Sequence, residues 1–210
     1  MPPDPLAPLR SRAWVSEAQR KAIHMATIVL PLAMLYEWPW ARGRAEWRLL
    51  LIALTLTAIA IDLLRIHERR AREFFRAFFG ELIREHEQWS LLGSTYLLIA
   101  ALLAIEIFPW PVAVAALGFA ILEDGLAALV GRAWGRRRFF HKSLEGAAGG
   151  LVGGLAWASF LAATGHLSWP VALVGALAAS LVEILPIPLD DNLGVTLFSG
   201  YVMKMMGGPG

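Results

Sequence analysis

Apolar runs alternate with short polar breaks along most of this chain. They cover 22–40, 47–64, 91–108, 111–131, 146–164, 168–186 and 193–206, the last short and glycine-bearing. Several approach the roughly 20 residues that a helix needs to cross a bilayer. The pattern predicts an all-α fold, a polytopic membrane helical bundle of about seven transmembrane helices, with six as the lower count. One segment breaks the rule. Between Arg65 and Trp89, Phe74, Phe75, Phe78, Phe79, Leu82 and Ile83 share one helical face while Arg and Glu fill the other. This predicts an amphipathic helix near 66–88, either lying in the membrane interface or packed on the bundle.

Composition agrees with that reading. Of 210 residues, 57% are hydrophobic, and the mean hydropathy of +0.56 marks an integral membrane protein. The segment 1–21 is Pro-rich and has no apolar core, so no cleavable signal peptide is expected. Residues 22–210 read as a single transmembrane domain without repeats or a long linker. The absence of cysteine excludes disulfides, thiolate metal sites and Cys nucleophiles.

The net charge of +2 gives no reason to expect a nucleic-acid partner, but its distribution is informative. Arg10, Arg12, Arg20 and Lys21 precede the first run, six basic residues lie from Arg65 to Arg84, and five from Arg132 to Lys142. The opposite loops hold only Arg42, Arg44 and Arg48, with Lys204 near the C-terminus. The excess of Lys and Arg places the first set, and the N-terminus, inside. Trp38, Trp40, Trp47, Trp89, Trp110 and Trp169 fall near span ends, where indoles settle at headgroup level.

Candidate chemistry begins with Asp124, a carboxylate within an apolar helix, a placement that costs roughly 2.5 kcal/mol or more in hydrocarbon. Ala127, Ala128, Gly131 and Gly135 share its helical face and predict a bare groove running from it, about 10 Å long as far as Gly131. A contact between helices and a proton pathway are the simpler accounts of such a carboxylate, beside a metal or nucleotide site. Lys142-Ser143-Leu144-Glu145-Gly146 opens the next span, where backbone N–H groups and a lysine can meet phosphate. It is not a P-loop, because His141 stands where that motif requires Gly. A solvated cap explains it equally well. Gly146, Gly150 and Gly154 form a stripe for close helix packing.

Asp190-Asp191-Asn192 follows Leu185-Pro186-Ile187-Pro188. Its oxygens suit a divalent cation such as Mg²⁺, although a turn with a helix cap has the same composition. Glu183 lies just before it. Arg20, Lys21 and His24 open the first span, with membrane anchoring as the simple account of the two basic residues. Asp62 closes the second span three residues before Arg65, its natural ion-pair partner. Glu85, His86 and Glu87 read as solvated surface, and the five histidines show no metal-ligand spacing. On the orientation set by the basic residues, all these clusters lie at cytoplasmic helix ends, which argues for one site that binds an anion from the cytosol.

Taken together, the residues resemble the CTP-dependent lipid kinases (dolichol and polyprenol kinases, phytol kinase, and a CTP-using diacylglycerol kinase), relatives of the phosphatidate cytidylyltransferases. The resemblance runs through Arg20-Lys21-xx-His24, Asp62-xx-Arg65, Gly93-Ser94-Thr95-Tyr96, Asp124-xx-Ala127-Ala128-xx-Gly131-Arg132, Lys142-Ser143-xx-Glu145-Gly146 and Asp190-Asp191-Asn192. The family commonly has Gly directly before the motif aspartate. Here Glu123 stands in that place and Gly125 follows, so Glu123 is an additional candidate ligand.

The resemblance implies transfer of the γ-phosphoryl group of CTP to the hydroxyl of a membrane lipid alcohol, in a bacterial or archaeal plasma membrane with the site facing the cytoplasm. It implies Asp124, Asp190 and Asp191 as Mg²⁺ ligands. Asp124 and Lys142 are the catalytic centre, with Asp62 or Glu183 orienting the acceptor. Arg20, Lys21, Ala128, Gly131, Arg132, Ser143, Glu145, Gly146 and Asn192 surround the nucleotide. The amphipathic helix becomes a gate beside the lateral path of the lipid. A cytidylyltransferase releasing pyrophosphate is the neighbouring alternative, and a small transporter using Asp62, Asp124 and Glu183 is the alternative of another class.

Overall fold

The computed structural model describes residues 12–36, 41–80, 86–140 and 142–207. These residues form an all-helical bundle, interrupted by an antiparallel hairpin of β1 (Arg138–Phe139) and β2 (Lys142–Ser143). Its helices are α1 (Arg12–Ala26), α2 (Val29–Leu35), α3 (Arg44–His67), α4 (Arg69–Phe79), α5 (Gly93–Ile107), α6 (Trp110–Trp134), α7 (Leu144–Ala163), α8 (Trp169–Ile184) and α9 (Asp191–Met205).

Three of them, α3, α6 and α7, are long and apolar enough to cross a membrane. The shorter apolar helices α5 and α8 fall below that length, so of the expected count of about seven only three are supported by length and composition, for local reasons. The run 22–40 breaks in two because Pro31 has no N–H for the Thr27 carbonyl, which Leu30 N takes instead at 2.8 Å. The first helix also begins at Arg12, well before that run. Pro186 and Pro188 follow the end of α8 at 16 residues, and α5 and α9 have 15 each. Trp38, Trp40, Leu82 and Ile83 lie outside the described residues.

At the centre stands α6. Within its apolar stretch 72% of residues are buried, against 22% in α3 and 39% in α7. Its inner surface is small, with Ala113, Ala115, Ala116 and Gly118 letting neighbours approach. The Trp157 indole of α7 lies over Gly118 and donates Nε1–H to the Ala115 carbonyl at 3.2 Å. Further along, the two backbones almost touch. A Cβ on Gly146 would stand 2.7 Å from the Ala127 carbonyl oxygen, and one on Gly150 would stand 2.9 Å from that of Glu123. The glycine stripe thus serves close packing of α7 on α6.

A second device fixes the end of α3. Asp62 and Arg65 are buried and paired at 2.7 Å. Asp62 Oδ2 also accepts from Leu92 N at 2.9 Å and from the Thr95 hydroxyl at 2.7 Å. Arg65 donates to the carbonyls of Glu87 and Ser90, each at 2.7 Å. One ion pair therefore ties α3 to the turn before α5 and to α5 itself. Each nitrogen of Arg65 and each oxygen of Asp62 has at least one partner in this knot, which is the condition under which burying two charges is tolerated.

Immediately beyond it, Glu68 turns the chain with an extended backbone (φ −99°, ψ 121°), and α4 begins. None of its residues is buried. Phe74, Phe78 and Phe79 are exposed. Arg72 donates to the carbonyls of Arg65 and Ile66, and its guanidinium lies 4.2 Å from the centre of the Trp89 ring.

Candidate functional site

Ends of five elements meet around Asp124. The α6 groove face carries Asp124, Ala127, Ala128 and Gly131. Opposite it lie Lys21 from α1, Lys142 and Ser143 from β2, Gly146 from α7, Glu183 from α8 and Asp191 from α9. Together they line a cavity of about 490 Å³, with Arg20, Arg132 and Arg138 adding positive charge.

Ion pairs organise its polar wall. Lys21 Nζ donates to Asp124 Oδ2 at 2.5 Å, and His24 Nε2 lies 3.4 Å from the same oxygen. Lys142 Nζ is 2.8 Å from Glu183 Oε1 and 3.1 Å from Asp191 Oδ2, and it donates to the Glu183 carbonyl as well. Burial pushes the Lys142 ammonium pKa down, but the charges of Glu183 and Asp191 outweigh this and leave it raised. Lys142 therefore stays a cation. Glu17 of α1 bridges Arg20 and Arg132, the latter at 3.3 Å.

Asp124, Glu183 and Asp191 each offer one carboxylate oxygen, and the three lie within 4.8 Å of one another. Octahedral Mg²⁺ with oxygens at about 2.1 Å needs opposite ligands about 4.2 Å apart, so this trio has the right chemistry and nearly the right span. Glu183 Oε2 is buried without a hydrogen-bond partner, an acceptor that a cation would satisfy.

The nucleotide-side residues named from sequence fall into two groups. Arg20, Lys21, Ala128, Gly131, Arg132, Ser143 and Gly146 all line the polar cavity. Ser143 caps α7, its Oγ accepting from Gly146 N at 3.1 Å. Glu145 does not join them. It is turned to the hairpin, accepting from Arg136 N at 3.0 Å and Arg137 N at 3.2 Å.

Asp62 is likewise absent from both cavities described here, held in the knot with Arg65 and Thr95. Glu123 is not a member of the carboxylate trio. Successive side chains on a helix point about 100° apart, and Glu123 is fully buried against Ser180, whose hydroxyl donates to Oε2 at 2.5 Å. Asp190 caps α9, and its Oδ1 accepts from Asn192 N and Nδ2, both at 3.0 Å. Burial raises its pKa.

A second cavity of about 330 Å³ adjoins the first and shares Arg20, Lys21, Asp124 and Asp191 with it. The side chains Ile23, Phe75, Phe79, Leu92 and Leu97 give its remaining wall most of its surface, beside the polar His24, Thr27, Glu87, Ser94, Asp190 and Asn192. Phe75 and Phe79 come from α4, so the amphipathic helix forms part of this wall.

Sequence reading missed Glu17 and Arg138. Glu17 lies in the segment 1–21 that precedes the first apolar run, and Arg138 is one of several arginines in the same loop. The helical spacing Glu17-xx-Arg20-Lys21-xx-His24, once α1 is known to start at Arg12, is the signal that would have found the first.

No protein-family model matches the chain, and no solved structure matches it. It is 26% identical over 189 residues, 86% of its length and 90% of the other chain, to an uncharacterized protein of Rickettsia prowazekii (strain Madrid E). The chemistry of this site therefore has to be argued from its own residues.

Proposed function

We propose that this protein is an integral membrane lipid kinase that moves the γ-phosphoryl group of CTP to the hydroxyl of a lipid alcohol at the cytoplasmic face. The observation that carries the reading is the pairing of two cavities, one walled by charged side chains of both signs and one mainly by hydrocarbon, that meet at Asp124 and Asp191. A phosphoryl transfer between a polar donor and a hydrocarbon acceptor needs such a junction.

Phosphoryl transfer asks mainly for positioning and charge neutralisation. Asp124, Glu183 and Asp191 are the residues that would hold Mg²⁺. That ion, when bound, would supply positive charge to offset the negative charge of the phosphates. Lys142, Arg20 and Lys21 neutralise the triphosphate, with Arg132 and Arg138 at its outer edge. Gly131 and Gly146 pack against each other, and Ala127 and Ala128 leave the rest of the groove wall without long side chains.

On the acceptor side, the hydroxyl oxygen attacks phosphorus, its new O–P bond replaces the bond to the β-phosphate oxygen, and CDP leaves. The hydroxyl proton passes to a carboxylate. Asp190 suits that role better than Glu183, because Asp190 lines the apolar cavity in which the acceptor would lie. Glu183 lines only the polar cavity and belongs with the metal.

The test is purified protein in detergent with Mg²⁺, γ-labelled CTP or ATP, and a panel of lipid alcohols. Label is expected in lipid with CTP. Absence of labelled lipid with every donor and acceptor, together with pyrophosphate release from CTP and phosphatidate, would replace the kinase with a cytidylyltransferase.

A further inference from the structure

The strongest unexplained surface is α4. It packs no residue into the core, yet it supplies a wall of the apolar cavity. Its apolar side has two edges. Phe75 and Phe79 line the cavity, while Phe74 and Phe78, one turn apart with ring centres 4.7 Å from each other, are exposed. Arg70 and Arg72 flank the phenylalanine face on its two borders, and Arg69 and Arg76 lie behind it. Four arginines oppose one glutamate, Glu73, along the eleven residues of this helix.

The depth of this helix is fixed by its neighbours. It starts two residues after α3, one of the three helices long enough to cross a membrane, so it leaves the bilayer at the headgroup level. Arg72 is held on Trp89 and on the α3 carbonyls, and Arg76 donates to Gln88 at 2.5 Å. These contacts set the rotation of α4, so Phe74 and Phe78 stand outside the cavity that Phe75 and Phe79 line, with Phe78 at the edge of a neighbouring recess shared with Gln19, Ala22 and Ile23 of α1. Arg69 and Arg70 remain exposed at its N-terminal end.

Exposed phenylalanines bordered by arginine at headgroup depth fit one partner, an anionic phospholipid surface. We infer that α4 seats its Phe74–Phe78 edge in anionic lipid, and that this seat sets how far the Phe75–Phe79 edge stands from α1 across the apolar cavity. Naming that cavity the acceptor site rests on the proposed kinase reading; the seat and its effect on cavity width do not. Lipid composition would then regulate access to the site without touching the carboxylates.

The cysteine-free chain permits a direct test with the full-length protein. A fluorophore at Phe78→Cys, reconstituted in phosphatidylcholine vesicles with or without phosphatidylglycerol, is compared with one at Glu73→Cys. The label at 78 is expected to shift to the blue and to be quenched by lipids carrying a spin label high on the acyl chain, more strongly with phosphatidylglycerol. The label at 73 is expected to stay in water.

Each basic residue contributes about fivefold to partitioning onto such a surface. Arg69→Gln with Arg70→Gln should therefore remove most of the phosphatidylglycerol effect. Both residues are exposed, so their loss leaves the packed bundle intact. A label at 78 that remains in water, or is quenched equally in both vesicles, overturns the seat.

Spin labels at Thr27→Cys and Phe79→Cys, which both line the cavity, read its width. Their separation is expected to change when phosphatidylglycerol is added, and an unchanged separation overturns the coupling. Neither readout uses turnover, so a failure of the kinase reading would appear only in the labelled-CTP assay.

Discussion

Lys21 donates to Asp124 at 2.5 Å, joining α1 to the central helix across 103 positions of sequence. Both side chains are mostly buried, at 6% and 16% exposure. Removing one partner leaves a charge in a poor solvent, which typically costs about 3–5 kcal/mol. Lys21→Met should lower the melting temperature in detergent accordingly. Asp124→Asn leaves the buried Lys21 ammonium without its counter-charge and should be destabilised to a similar degree, so its expected loss of turnover is read per folded molecule below the new transition. An active, well-folded Asp124→Asn protein would refute its role in the proposed transfer.

Lys142 sits between two of the three clustered carboxylates. Its ammonium competes with a divalent cation for Glu183 and Asp191, yet the proposed chemistry needs it to balance the triphosphate. Lys142→Met should therefore bind Mg²⁺ or Mn²⁺ alone more tightly, by several-fold, while turnover falls by at least an order of magnitude. Metal titration by calorimetry beside the labelled-CTP assay reads the two effects separately. A parallel loss of metal binding and turnover would mean that Lys142 holds the carboxylates together.

How much of this was legible in the sequence depends on whether the determining contact was local. The groove Asp124–Ala127–Ala128–Gly131 was readable because one helix determines it, as was the Ser143 cap. The convergence of Lys21, Asp124, Lys142 and Asp191 was anticipated from charge asymmetry alone. Which carboxylate faces which cavity was not readable, because a loop of Pro186 to Asp190 decides the rotation of α9 relative to α8. Helix length was less readable than helix existence, for the reason seen at Pro31. Hydropathy averages over a break that a single missing N–H creates.

Asp62 provides the contrast between a buried charge that acts and one that only holds. Its carboxylate is fully engaged by Arg65, Leu92 N and Thr95. Asp62→Asn should lower stability by about 3 kcal/mol, since the buried guanidinium loses its counter-charge. Activity per folded molecule should stay near the parent value at temperatures below the new transition. Thermal melts paired with active-fraction titration would check this, and a turnover defect in fully folded protein would return Asp62 to the site.

Gly146 tests the groove. A methyl there would meet the Ala127 carbonyl oxygen at 2.7 Å and the Gly131 Cα at 3.0 Å, both backbone atoms that cannot rotate away. Gly146→Ala should cost about 1–3 kcal/mol by overpacking and weaken CTP binding more than lipid binding. Separate Michaelis constants for donor and acceptor, with a melting curve, distinguish these outcomes. An equal rise in both constants would indicate a general distortion of the α6–α7 contact.

The joining of α1 to α6 also has a consequence for biosynthesis. A ribosome adds roughly 5–20 residues per second, so about 5–20 s separate the emergence of Lys21 from that of Asp124. During that interval Arg20 has Glu17 on its own helix, but the Asp124 partner of Lys21 is still missing. The trio itself waits longer, until Asp191 has been made. Insertion factors therefore meet a nascent chain whose local ion pairs can form at once, while its pairs between helices close one after another as α6 and then α9 emerge.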